Sequence, residues 1–248
     1  MLIKYQGQYV GKNGMAAGFI DSPVPPGPSL PPYTIRLKYK QGTTPTFSKG
    51  TGVLYDAEQN IWDLTYENTV WYQLLKNHST LLEVINANTE GVVNMNRMFY
   101  GCSALTSVSW FDTSSVIYMK EMLYYCTSLT SVPLFNTYKV TTMSNMMLNC
   151  TSLTTVPLFN TSNVTTMNNM IRNCTSLTSV PLFDTSKVTD MDYAFNGCYK
   201  VQSGALALYQ QASTQTTPPT YHSRTFTNCG RDTQTGSAEL AQIPSDWK

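Results

Sequence analysis

A 24-residue repeat runs through the middle of this chain, and each copy carries one cysteine. These cysteines stand 24 residues apart, at Cys102, Cys126, Cys150, Cys174 and Cys198. The flanking residues repeat with them, so the unit that starts at Val140 and the unit that starts at Val164 agree at most positions. A unit this short cannot bury its own apolar face, and its copies must therefore stack on one another. The repeat predicts a solenoid.

The residues on either side of the five full copies indicate how the stack begins and ends. Full units begin at Val92, Val116, Val140, Val164 and Val188. Residues 68–91 form a degenerate unit with His78 where the others have cysteine, and the register breaks after Cys198. The ends of a stack must be closed by atypical residues. We therefore expect a solenoid over 68–204, with 68–91 closing one end and 205–248 forming a C-terminal cap.

Each unit changes its apolar period halfway. In the third full unit, steps of three and four, typical of a helical turn, connect Val140, Met143, Met146, Met147 and Cys150. Thr141 and Thr142 could cap such a turn. Leu153, Val156 and Leu158 then follow as the inward positions of a short strand. The predicted fold class is an α/β solenoid, a leucine-rich-repeat-like stack of 24-residue units, each with one short parallel strand and one helical turn.

The consensus L-x-x-V-P-L-F-[ND]-T-S-x-V-T-x-M-x-x-M-[FL]-x-x-C resembles a known repeat family. It is similar to the cysteine-bearing leucine-rich repeats of BspA-type bacterial surface proteins, also called mycoplasma-lipoprotein-type repeats. The resemblance covers about 68–204. It implies a curved solenoid that is used extracellularly for adhesion, and it brings no catalytic site with it. Similar repeats occur in virion proteins of gut bacteriophages.

The composition disfavours several classes of partner. Charged residues make up 12% of the chain and the net charge is +1, whereas soluble domains usually carry about 25% charged residues. No run of Lys or Arg appears, so neither nucleic acid nor an anionic membrane is an expected partner. No apolar stretch approaches the roughly 18 residues that a membrane span needs.

The first residues lack the apolar core of a secretory signal, so we expect the protein to fold in the cytoplasm. Cysteines in one file of a stack point the same way, whereas a disulfide needs side chains that face each other. We therefore predict a file of buried, unpaired thiols. A constant spacing of 24 offers no zinc-ligand pattern, and we expect no cofactor. The only histidines are His78 and His222, and neither pairs with an evident nucleophile, so we expect no enzyme.

Three segments precede the repeats. Residues 1–22 contain one predicted strand, which we interpret as an anchoring peptide that pairs with a virion or surface protein; disorder is the alternative. Residues 23–32 hold six prolines and predict a semi-rigid spacer, with an SH3-type ligand as the alternative. Residues 33–67 predict a small β module at the N-terminal end of the solenoid, in which Ile35 and Leu37 alternate with Arg36 and Lys38.

Two surfaces are candidates for binding a host-surface protein or a glycan. The first is the concave sheet face, where solenoids usually bind, and its candidate residues are Ser107, Ser109, Ser131, Pro133, Thr155, Pro157, Ser179 and Pro181. The second is an aromatic cluster of Tyr100, Tyr124 and Tyr125, a residue type that gives contact area at low entropic cost. Ordinary solenoid surface is the alternative for both. A column of phenylalanines is expected in the core.

Function is predicted at the level of class. The favoured hypothesis is a phage virion appendage, assembled in the host cytoplasm, that binds a host surface through the repeats. The alternative is a bacterial cell-surface adhesin, which requires a signal peptide upstream. An intracellular scaffold and a homo-oligomer are left open.

Overall fold

Backbone hydrogen bonds follow the 24-residue period of the sequence. The computed structural model describes residues 2–5, 8–11 and 30–248. Within 30–248 the chain makes seven coils, of which coil 1 is 68–91, coils 2 to 6 begin at the valines of the full units, and coil 7 contains Cys229. Isolated parallel bridges link the coils in one file, through Val70, Asn94, Tyr118, Thr142, Thr166, Asp190 and Tyr221. Equivalent residues of successive coils therefore lie side by side.

The first half of each coil, called here the turn segment, is not a helical turn, and this part of the predicted fold class is wrong. In coil 4, the N–H groups of Met146 and Cys150 donate to the carbonyls three residues earlier, at 3.1 and 3.2 Å. Asn145 and Asn149 interrupt these turns with φ angles of 55° and 63°. A left-handed residue every fourth position ends each turn, so steps of three and four arise without a helix. Thr141 and Thr142 accordingly cap no helix.

Alternate N–H groups of the turn segment leave the coil and hold the stack together. In coils 1 to 5 each donates to a carbonyl 23 residues further on, as Asn145 does to Asn168 at 2.9 Å and Met147 to Met170 at 2.8 Å. These bonds satisfy backbone groups that a helix would have paired internally. The coils are therefore joined chiefly along their turn segments.

The second half of each coil, called here the extended segment, does not form the predicted parallel sheet. Within 88–204 the only strand is the two-residue Ser107–Val108. Pro157 and its equivalents have no N–H to donate, and the N–H of Phe159 turns back to the Pro157 carbonyl at 2.9 Å. One backbone bond, from Thr154 to Thr130 at 3.0 Å, joins the extended segments of coils 3 and 4. Leu158, predicted to point inward, is 56% exposed, while Phe159 is buried.

A five-stranded mixed sheet stands at the N-terminal end of the stack, and the fold is therefore not the α/β solenoid that we predicted. Two strands, β1 (Leu2–Tyr5) and β2 (Gln8–Gly11), form a separate antiparallel pair, where the sequence predicted a single strand. The sheet contains β3 (Thr34–Tyr39), β4 (Thr51–Asp56), β5 (Ile61–Thr65), β6 (Leu81–Ala87) and β7 (Ser107–Val108).

The order of this sheet is β4-β5-β3-β6-β7, with β6 and β7 parallel and the other pairs antiparallel. Since β6 belongs to coil 1, the sheet joins the β module to the repeats. Ile35 and Leu37 are buried while Arg36 and Lys38 are half-buried, which confirms the predicted alternation. The proposed anchor and spacer fall largely outside the described residues.

The C-terminal residues hold the two α-helices of the described chain. Helix α1 (Ala205–Thr214) is inserted between coils 6 and 7, and helix α2 (Gln234–Gln242) follows coil 7. A short 3₁₀ helix, Ser245–Trp247, ends against coil 7, where the Trp247 carbonyl accepts the N–H of Phe226 at 2.9 Å. The described helices include none long and apolar enough to cross a membrane.

Candidate binding surfaces

The cysteines form a buried file whose thiols bind backbone rather than each other. Cys102, Cys126, Cys150, Cys174, Cys198 and Cys229 are buried and free. Each of the first five donates its S–H to a carbonyl of the preceding coil at 3.1–3.2 Å. Burial raises the pKa of Cys150 to about 12, so its thiol stays neutral and unreactive at neutral pH. The predicted file of unpaired thiols is confirmed, and its role is packing.

The extended face is the surface that the extended segments present to solvent. Among its candidate residues, Pro157 is buried, Pro133 and Pro181 are half-buried, and the exposed ones are Ser107, Ser109, Ser131, Thr155 and Ser179. The stack brings Ser107, Ser131, Thr155 and Ser179 into one file, because they hold the same place in successive coils. The face is thus a row of small hydroxyls with prolines beside it, as the sequence indicated, although it rests on irregular backbone rather than on a sheet.

The three candidate tyrosines do meet, on the surface of the turn segments, called here the turn face. Tyr100 and Tyr124 stack with ring centroids 4.6 Å apart and planes 4° apart, and Tyr125 tilts against Tyr124 at 4.8 Å. Burial, together with the neighbouring phenols, raises the pKa of Tyr124. The ammonium of Lys76 lies 5.3 Å from the Tyr100 ring centroid. Because these ring faces are already occupied, Tyr125, 46% exposed, has the most ring surface left for a ligand.

A depression of about 220 Å³ on the same turn face was not predicted. Tyr72, Asn96, Arg97 and Lys120 line it. Tyr72, Asn96 and Lys120 hold the same position in coils 1, 2 and 3 and lie in one file. The cluster could be predicted from the sequence only by noting that the three residues hold equivalent positions in the repeat, because tyrosine, asparagine and lysine form no recognisable motif.

An ion pair forms one wall of the depression. The guanidinium of Arg97 donates twice to the carboxylate of Glu121, at 2.7 and 3.2 Å. The hydrogen bond to Glu121 raises the pKa of Arg97. Lys120 lies 3.7 Å from the same carboxylate. Two cations thus share one carboxylate, which leaves the wall with positive charge.

A second depression, of about 170 Å³, lies where the β module meets coil 1. There His78 takes the place of cysteine in the file, and its Nδ1 lies 2.7 Å from the hydroxyl of Tyr39. Burial lowers the pKa of His78. Its ring also stacks on Phe47 at 5.7 Å. These contacts fix His78 as the closing residue of the cysteine file, which is the role that the sequence predicted for it.

Among the described residues, no group of three or more His, Cys, Asp or Glu side chains could hold a metal ion. His222 stacks on Trp247 at 4.3 Å and serves the C-terminal cap.

Comparison with known proteins gives one family and one structure. A family model described as "Mycoplasma protein of unknown function, DUF285" matches residues 69–176 and 154–230. Curated proteins give no match. The crystal structure of a leucine-rich repeat protein of T. pallidum (TpLRR) is similar to 69% of this chain over 74% of its own, with 13% identity and a TM-score of 0.39.

Proposed function

This chain belongs to the family described as Mycoplasma protein of unknown function, DUF285, and we propose that its repeats serve non-enzymatic adhesion. In this proposal the stack is a display surface that binds a protein or glycan on another particle or cell. The family match covers most of the coils, which are the part of the chain with repeated surface residues. The chemistry of that surface is suited to broad contact, since charged residues are few and hydroxyls, amides and tyrosines are many.

One observation carries the proposal: equivalent side chains of successive coils form straight exposed files. Ser107, Ser131, Thr155 and Ser179 form one such file on the extended face. Tyr72, Asn96 and Lys120 form another on the turn face, in which Asn96 is half-buried. Stacked repeats create extended binding surfaces in this way. A long partner can therefore contact several coils at once.

Adhesion is tested with labelled protein and whole cells. The full chain is labelled and incubated with a broad panel of bacterial cells, and cell-bound fluorescence is measured by flow cytometry. A triple variant with Ser131→Arg, Thr155→Arg and Ser179→Arg should lose binding if the extended face makes the contact. The matched control adds three arginines outside that face, at Thr216, Thr217 and Ser186, all exposed. Absence of binding to every cell type would contradict adhesion.

The finer proposal is a phage virion appendage, in which residues 1–22 join the particle and 23–32 act as a spacer. It is supported by the similarity of the repeats to those of phage virion proteins and by the unpaired thiols, which suit assembly in a reducing cytoplasm. Mass spectrometry of purified particles and of bacterial surface fractions separates the candidates. Detection in particles alone supports the appendage, and detection in the surface fraction alone supports a bacterial adhesin.

A further inference from the structure

The turn face is electrostatically uneven along the stack. Its N-terminal half carries Lys49, Lys76, Arg97 and Lys120 around the 220 Å³ depression and the tyrosines. Glu121 pairs with Arg97 and Lys120. The corresponding positions of coils 4 and 5 are occupied by Ser144, Asn145, Leu148, Asn168, Asn169 and Arg172. Positive charge is therefore concentrated over coils 1 to 3.

The depression is lined by donors that the protein leaves partly unused. The Oδ1 of Asn96 accepts the backbone N–H of Lys120 at 2.7 Å, which fixes the amide and leaves its Nδ2 without a partner among the described residues. The Nη1 of Arg97 has one long contact, 3.5 Å to the Tyr72 hydroxyl. The ammonium of Lys120 is half exposed, and its 3.7 Å contact with Glu121 is longer than a charge-assisted hydrogen bond. The ammonium can therefore face a second anion.

Tyr72 supplies an aromatic wall. The ammonium of Lys49 lies 5.7 Å from its ring centroid and donates to its carbonyl at 2.6 Å, which holds this residue in place. Its side chain remains exposed. An aromatic ring beside amide and cationic donors matches a ligand that has both an apolar ring face and oxygen acceptors.

From this geometry we propose that the depression binds a carboxylate-bearing sugar residue of a polysaccharide, with Lys120 facing the carboxylate, Asn96 and Arg97 donating to ring oxygens or hydroxyls, and Tyr72 packing on the ring. The inference rests on the proposed adhesive function and names its ligand class. A sugar is favoured over an acidic peptide because the exposed ring of Tyr72 lies beside amide and cationic donors. A carboxylate-bearing sugar can use the ring and the donors together, whereas an acidic side chain of a peptide uses the cations alone. The coil spacing, about 4.8 Å, places successive residues of one file within reach of one polymer chain.

The test measures binding of polygalacturonate to the full chain by isothermal titration calorimetry at low and high salt. Lys120→Met keeps the length of the side chain and removes its charge, and we expect affinity to fall at least about tenfold. Lys139→Met, at an exposed lysine of the same coil outside the depression, is the matched control and should bind as the unchanged protein does. Binding should also weaken as salt screens the ion pair.

Two further polymers define the ligand class. Fully methyl-esterified polygalacturonate keeps the sugar rings without their charges and should bind at least about tenfold more weakly. Polyglutamate keeps the charges without the rings and should also bind more weakly. Equal binding of polyglutamate would overturn the sugar assignment, and equal binding by Lys120→Met or by the methyl ester would overturn the role of the carboxylate.

Failure of this inference is distinguishable from failure of adhesion. If the unchanged protein adheres to cells but binds no polygalacturonate, the acidic-sugar site is wrong and adhesion stands. If it neither adheres nor binds the polymer, both proposals fall. If it adheres and Lys120→Met loses polymer binding and cell binding together, both are supported.

Discussion

The Sγ of Cys126 donates to the carbonyl oxygen of Phe99 in the preceding coil at 3.2 Å. The equivalent thiol of Cys150 donates to Leu123, which stands in the same place as Phe99 one coil further on. That Leu123 carbonyl also accepts the N–H of Cys126 within its own coil at 3.1 Å. The Leu123 carbonyl thus accepts one hydrogen bond from the backbone of its own coil and one from the thiol of the next coil. This double use explains why a small, weakly polar donor recurs at one position.

Replacing a thiol of this file should destabilise the stack. Cys150→Ala removes the S–H donor to Leu123 and leaves a small cavity, so we expect the free energy of unfolding to fall by about 1–2 kcal/mol. Urea denaturation measures the loss. Thr155→Ala, at an exposed residue of the same coil, should change it by less than about 0.5 kcal/mol. Equal effects of the two substitutions would contradict a packing role for the thiol.

The thiols also make stability fall at alkaline pH. Burial raises the pKa of Cys102, Cys150 and Cys198 to about 12, whereas an unfolded thiol ionises near ~8.5. The unfolded chain therefore loses protons first, so the stabilisation is complete below about pH 8.5 and decreases as pH rises toward 12. Each thiol contributes a slope of about 1.4 kcal/mol per pH unit inside this window.

Urea titrations between pH 8 and 10.5, with a reductant present, measure this slope. Cys150→Ala should make the slope of the free energy of unfolding against pH shallower by the contribution of one thiol. Because tyrosines and lysines titrate in both proteins, the difference between the two slopes isolates the thiol. Identical slopes would show that Cys150 ionises alike in the folded and unfolded chains.

Left-handed backbone in the turn segment should tolerate glycine and reject β-branched residues. Asn145 has a φ of 55°, and no side-chain hydrogen bond accounts for it among the described contacts. Asn145→Val should therefore lower the free energy of unfolding by about 1–2 kcal/mol, because a β-branched side chain clashes in this region. Asn145→Gly should stay within about 0.5 kcal/mol. A helical segment would give the opposite order, since valine suits a helix better than glycine, so urea denaturation of this pair distinguishes turns from a helix.

The residues that stack in files could be predicted from the repeat, whereas the backbone conformation within each coil could not. The cysteine file and the column of Phe111, Phe135, Phe159 and Phe183, each at most 2% exposed, follow from equal spacing alone. The helical turn failed because consecutive turns also place apolar residues three and four apart. The missed signal was Asn145, Asn149, Asn169 and Asn173, since asparagine is the non-glycine residue that best tolerates left-handed backbone.

Of the two candidate sites on the turn face, the tyrosine cluster could be predicted from the sequence and the depression was missed. Stacking brought Tyr100 to Tyr124 as predicted, because they are equivalent residues of adjacent coils. The depression was missed because Tyr72, Asn96 and Lys120 are equivalent in position but unlike in chemistry. A repeat exposes such a site only when its columns are compared residue by residue across coils.

Buried threonines form a second file that can be tested. The Oγ1 of Thr137 donates to the carbonyl of Asn160 in the next coil at 2.8 Å, and Thr113 and Thr161 make the same bond in their coils. Thr137→Val keeps the shape and removes the donor, so we expect a loss of about 1–2 kcal/mol in urea denaturation. The control is Thr130→Val, at an exposed residue, which should change stability by less than about 0.5 kcal/mol. A loss as large at Thr130 would argue that the added methyl group, and not the lost hydrogen bond of Thr137, is responsible.

Closure of the C-terminal end depends on Trp247. Alternate N–H groups of each turn segment donate to the coil that follows, and the described residues contain no coil after coil 7. The Trp247 carbonyl accepts the Phe226 N–H instead, and the Trp247 ring packs on Phe226 and His222. Trp247→Ala should cost about 3–5 kcal/mol. Because repeat proteins fray from their ends, hydrogen exchange should accelerate at Phe226 and Cys229 well before it does at Met122 in coil 3. Asp246→Ala, at an exposed neighbour, should leave all three amides unchanged. Uniform acceleration along the chain would mean that the stack unfolds as one unit and that Trp247 is no local cap.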